Sequence, residues 1–111
     1  MAADPSPATR HVRLYAMQIA DPERYQRYRT LMTPILHGHG GSFRYDFAIA
    51  RVLASDASHA IDRVFTIAFP DRAAADRFFA DAAYLAIRRE WFEPAVTAFT
   101  QIATFDEPAP R

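Results

Sequence analysis

Three groups of residues in this chain are of the right type and spacing to do chemistry. His37 and His39 flank Gly38 and run into a glycine pair, Gly40-Gly41. Imidazoles titrate near neutral pH, so the pair could accept a proton or hold a metal or haem. Alternatively, they only complement the negative end of a helix dipole. Their spacing suits helical chelation poorly and no acidic third ligand is near, so no metal is expected. Further along, Asp46 stands in an apolar stretch with Arg44, and Arg63 lies on a later one. Burial would raise the carboxyl pKa of Asp46 into a range useful to a general base. An ordinary salt bridge at a strand end or interface rim would explain the same charges. Tyr84 and Arg88 are one helical turn apart and can meet. A hydroxyl and a guanidinium together suit an anionic or carbonyl group, whereas an arginine lying on the tyrosine ring would be packing alone. The candidates are therefore Asp46, His37 and His39 as catalytic groups, and Arg44, Arg63, Tyr84 and Arg88 as ligand-binding ones.

The elements that must position these groups repeat one order, β-α-β, twice. His11 to Ile19 reads as a strand that is partly apolar on both faces. Asp21-Pro22-Glu23 then gives a capping side chain, a proline suited to the first helical position and an acid near the positive dipole end. Tyr25, Tyr28, Met32, Ile35 and Leu36 follow at helical spacing. Arg24, Arg27 and Arg29 fall mostly elsewhere. Pro34 inside this pattern predicts a kink or break near Leu31 to Pro34. Glycine after His37 predicts a left-handed cap. Phe43 to Leu53 reads as the second strand, with Phe43, Tyr45, Phe47 and Ile49 on one face, and Ala54 to Ile61 as a polar connector. Arg63 to Phe69 predicts the third strand. Asp71 caps a helix burying Ala74, Ala75, Phe78 and Phe79. Asp81 caps a further segment from Ala82 to Phe92, which presents Tyr84, Ile87 and Trp91 and is stopped by Pro94. Phe99 to Phe105 predicts the last strand. Residues 1–10 and 107–111 are read as loose tails around one domain, 11–106.

Composition narrows the class. In 111 residues, 50% are hydrophobic and 14% aromatic, enough for one folded core. The 13 basic and 13 acidic residues cancel, so no basic nucleic-acid face is indicated. The absence of cysteine removes disulfides and thiolate chemistry, and fits a cytoplasmic, reducing setting. No apolar run approaches the ~20 residues of a membrane span. No phosphate-binding glycine loop, nucleophile elbow or metal-binding helix motif is present, so no cofactor is expected.

The order βαββαβ predicts an α+β, ferredoxin-like domain, a four-stranded antiparallel sheet with helices on one face. The other sheet face carries Ala, Val, Thr, Phe and Ile. Left bare, it would exceed the apolar patch a monomer usually tolerates, so a two-fold homodimer is expected. Asp21-Pro22-Glu23 with Tyr25 and Tyr28, then Gly40-Gly41, then Phe69-Pro70-Asp71 with Ala74-Ala75 and Tyr84, resembles the family called domain of unknown function 1330. That family belongs to the dimeric α/β-barrel superfamily, and the resemblance covers Val12 to Phe105. It implies a ferredoxin-like protomer whose sheet faces that of a second copy. It implies no single reaction, since the superfamily includes cofactor-free monooxygenases, haem-degrading enzymes, lactone isomerases and stress-response proteins. Ser42 and Asp46 stand where arginines are common in that pattern.

Two functions follow. One is a small cofactor-free enzyme acting on an apolar or aromatic molecule held between helix and sheet, near the Gly40-Gly41 turn. The other is a non-catalytic homodimer that binds a ligand or partner. Neither involves nucleic acid or a membrane.

Overall fold

The computed structural model describes residues 8–110, and its elements follow the expected order with two corrections of extent. Strand β1 spans Thr9–Ile19, helix α1 Pro22–Gly38, strand β2 Ser42–Ala48 and strand β3 Arg63–Phe69. Helices α2, Arg72–Ala80, and α3, Ala82–Ile87, are followed by a π-helical turn, Arg88–Phe92, and strand β4, Val96–Pro108. The sheet order is β2-β3-β1-β4 and every pairing is antiparallel. This is the ferredoxin-like arrangement.

The first correction concerns the tails. Thr9 pairs with Pro108 and Arg10 with Glu107 across β1 and β4. The Arg10 guanidinium also reaches the Glu107 carboxylate at 2.7 Å. Residues 9–10 and 107–108 are thus part of the sheet. The rest of the expected N-terminal tail, residues 1–7, and Arg111 lie outside the described residues.

The second concerns β2. It stops at Ala48, so Ile49 to Leu53 belongs to the connector leading to β3. A register shift between Phe43 and Tyr45 also breaks the alternation. Phe43 pairs with Ile67, while Asp46, three residues on, pairs with Phe65. Directly paired residues share a face. Phe43 and Asp46 therefore face the helices, and Tyr45 and Phe47 face the opposite side. A single face for Phe43, Tyr45 and Phe47 is overturned by this bulge.

Of the kink or break expected at Pro34, the break does not occur, and helix α1 runs through that residue. Proline removes the N–H that would reach the Thr30 carbonyl, but Thr30 and Pro34 are both exposed, so solvent can satisfy the freed group. The helix ends as expected in glycine. Gly40 takes φ 79°, its N–H donates to the His37 carbonyl, and Gly41 N–H donates to the Leu36 carbonyl. That pair of bonds is the Schellman end.

All three expected caps form. Asp21 accepts from Arg24 N–H, Asp71 from Ala74 N–H, and Asp81 from Tyr84 N–H. Buried Tyr25, Tyr28, Met32 and Leu36 of α1 join Phe65, Ile67 and Phe69 of β3 and Phe78 of α2 in one core.

Candidate functional site

Between the helices and the sheet the core is incompletely filled. A cavity of about 250 Å³ is bounded below by Tyr15 and Met17 of β1 and Phe65 and Ile67 of β3. Tyr28 and Met32 of α1 form one wall, and Phe79, Tyr84, Arg88 and Phe92 form the other, with Phe99 at the edge. Two features of the sequence place the polar groups here. Asp81 caps α3 through Tyr84 N–H, which fixes where the helix starts and so which residue turns inwards. The π-helical turn then carries Arg88 and Phe92 along the same wall and closes on Glu93 N–H donating to the Arg88 carbonyl at 3.0 Å. Single π-turns recur at functional sites.

The polar groups converge. The Tyr28 and Tyr84 hydroxyls are 2.8 Å apart and buried. One O–H is used within the pair, so the other remains available as a donor. Burial raises both phenol pKa values, opposed in each case by the positive charge of Arg88 nearby. Both therefore stay neutral donors near pH 7. Arg88 lies 5.1 Å from the Phe92 ring centre and 5.8 Å from that of Phe99. Its Nε is buried without a hydrogen-bond partner. Arg13 also lines the cavity, but it donates to Asp76 at 3.4 Å and to His11 at 3.2 Å.

The other candidates lie elsewhere. Asp46 does not line the cavity. Its carboxylate receives both nitrogens of the Arg63 fork, at 2.7 and 2.8 Å, and Arg29 Nη2 at 2.8 Å. Partial desolvation pushes its pKa up, but bonds and charge from Arg63 and Arg29 outweigh this and hold it below the ordinary carboxylate value. The expected rise is therefore reversed, because two guanidiniums meet one carboxylate. Arg29 further donates to the Tyr25 hydroxyl and stacks 3.6 Å above the Phe43 ring. Arg44 and His37 are exposed. His39 is 3.0 Å from Asp81, so it braces the glycine turn against the start of α3. Gly41 is needed for close packing: a Cβ there would lie 2.5 Å from Leu36 and 2.8 Å from Phe69.

Sequence reasoning thus picked out Tyr84 and Arg88 but missed Tyr28, read only as core, and Arg13. The signal for Tyr28 was available. Two tyrosines on apolar stripes of different helices, α1 and α3, each bring a hydroxyl that must find a partner inside. It also missed His11, which is buried, accepts from Arg13 at Nε2 and donates from Nδ1 to Asp106 at 2.9 Å. Among the described residues no three His, Cys, Asp or Glu side chains gather as a metal site would require.

The opposite sheet face is bare. Tyr45, Phe47, Ile102 and Phe105 are 41–60% exposed, and Leu53, on the connector, is 84% exposed. An open groove of about 840 Å³ lies there, between the 49–57 segment and Ala16, Val64, Thr100 and Ile102 of the sheet. No helix among the described residues is long and apolar enough to cross a membrane.

Comparison with known proteins agrees with this architecture. A protein of unknown function from Rhodopseudomonas palustris superposes with TM-score 0.71 at 16% identity, over 97% of this chain and 87% of that one. A dabb family protein with a ferredoxin-like fold from Mesorhizobium loti gives 0.58 at 18%, over 93% and 98%. SnoaB, a cofactor-independent oxygenase from Streptomyces nogalater, gives 0.52 at 12%, over 96% of each chain. At these identities the likeness is one of fold. No curated protein matches the chain. The family profile described as Domain of unknown function (DUF1330) matches residues 13–103, and the chain belongs to that family.

Proposed function

We propose that this protein works as a homodimer that binds a small aromatic or apolar molecule in the cavity between its helices and sheet, and acts on it without a cofactor. The observation that carries the reading is the cavity itself. Aromatic walls surround a hydroxyl pair and an arginine that converge on one space. Ligand sites typically combine an apolar lining with a few convergent polar groups. The chemistry available is stabilisation of negative charge developing on a bound oxygen, by a guanidinium and a phenolic O–H in a space walled mainly by apolar side chains. Asp46 has no place in this reading, because its lone pairs are engaged by two arginines. The fold shared with a cofactor-independent oxygenase supports the enzyme reading by analogy only.

One observation favours the alternative, a non-catalytic binding dimer. The lining of the cavity contains no carboxylate and no imidazole. Both tyrosines are neutral donors, so a substrate would have to lose its proton to water or to an oxygen atom of its own.

The test is extraction of the purified protein and mass spectrometry of released small molecules, followed by incubation of the identified compound with fresh protein. Release of an aromatic or apolar compound near one per chain, converted on incubation, is the expected result. Binding without conversion selects the non-catalytic dimer. An empty protein that also fails to bind aromatic fragments overturns both.

A further inference from the structure

The charge at Arg88 narrows the ligand class, and this step rests on the small-molecule reading above. Among the described residues five arginines are partly buried, and four of them, Arg10, Arg13, Arg29 and Arg63, have a carboxylate within 4 Å. Arg88 has none among the described residues. Its neighbours are ring faces and two neutral hydroxyls. Ring faces offset a cation weakly, and a guanidinium nitrogen buried without an acceptor costs free energy. A partly buried guanidinium that lacks the carboxylate its partly buried counterparts have, with a nitrogen buried and unpaired, points to a partner supplied from outside.

We propose that the cavity takes an aromatic anion, one or two fused rings bearing a carboxylate or phenolate oxygen, with that oxygen seated between Arg88 and the Tyr28–Tyr84 hydroxyl pair. The rings lie among Tyr15, Met32, Phe65 and Phe92. Size supports this. A dry cavity of about 150 Å³ accepts benzene, and the space here is about 250 Å³. Polarity supports it too. The tyrosine pair retains one free O–H, and Arg88 retains N–H donors, so the site is rich in donors. A donor-rich pocket favours acceptors, and charged acceptors most.

The test is a matched series, 2-naphthoate, 2-naphthalenemethanol and naphthalene, titrated at neutral pH against the full chain, Arg88→Met and Arg88→Lys. The full chain should bind naphthoate about tenfold or more tighter than the neutral compounds, in line with a charge-assisted bond. Arg88→Met should remove that preference while leaving naphthalene affinity within about twofold, and Arg88→Lys should restore part of it. If Arg88→Met does not fold, the ranking on the unmodified chain and on Arg88→Lys still decides. Equal binding of all three compounds to the unmodified chain, or an unchanged preference in Arg88→Met, overturns the anion assignment and leaves the apolar cavity standing. Binding of none of the three overturns the small-molecule reading itself, and this assignment with it.

Discussion

Among single residues, the charges illustrate what types and spacing convey. An aspartate within Phe43 to Ile49 is anomalous by sequence, and the anomaly is real. Its resolution was hidden, because Arg29 lies on a helix and reaches Asp46 only after the bulge turns that carboxylate towards α1. The arrangement has a measurable consequence. The folded-state pKa of Asp46 lies below the ordinary 3.8. Its contribution is therefore fully present above that value and is lost as pH falls through the lowered one. Asp46→Asn should cost about 1–2 kcal/mol at pH 7, from lost charge-assisted bonds at a partly exposed site. The deficit should shrink as pH falls through that lowered pKa, where the unmodified carboxyl itself becomes protonated. Urea melts of both proteins at pH 7 and along a descending acid series measure this. A deficit independent of pH would show that packing, not charge, holds the three groups together.

At the level of elements, capping signals were read more accurately than pattern. Asp21, Asp71 and Asp81 all cap helices, since a short acceptor before exposed amides has few other roles. Strand faces were legible only where no bulge intervenes. Arg63–Phe69 alternates without a bulge and turns Phe65, Ile67 and Phe69 into the core, whereas the extra residue in β2 leaves no mark in the sequence. Phe65→Ala and Ile67→Ala should each destabilise by ~2–5 kcal/mol in denaturant melts, because both side chains are buried in a central strand. Losses under about 1 kcal/mol would mean that the neighbouring cavity collapses around the deletion. Pro34 tests the opposite direction. Its ring is exposed and it deprives Thr30 of a helical bond, so Pro34→Ala should stabilise. Proline costs ~3 kcal/mol within a helix, and alanine gives back part of this through a freer unfolded chain, which leaves about 2 kcal/mol. A loss of stability would show that the proline ring contributes packing or rigidity that its exposure conceals.

For the molecule as a whole, the two sheet faces have different fates, and the sequence indicated this through the Ala, Val, Thr, Phe and Ile it places on the second face. Helices cover one face. The other carries Tyr45, Phe47, Ile102 and Phe105, with Leu53 on the connector beside it. Those side chains are 41–84% exposed in the single chain, so the fold does not depend on their mutual burial. A second copy would remove them from water, and at about 25 cal/mol per Å² even several hundred Å² of apolar contact contributes substantially. Phe47→Asp and Ile102→Asp, separately and together, should therefore convert a dimer into a folded monomer. Light scattering would read the mass, and circular dichroism would confirm that the helices persist. Leu85→Asp serves as the control, since Leu85 is also exposed but lies on α3, away from the sheet face, and this variant should remain dimeric. The cavity sits on the helical side of the sheet, so the monomeric variants should retain ligand affinity within a few-fold unless a second copy closes the mouth near Phe99. A monomer mass for the unmodified chain at micromolar concentration would remove the dimer from the proposed function, and the bare face would then need a different partner.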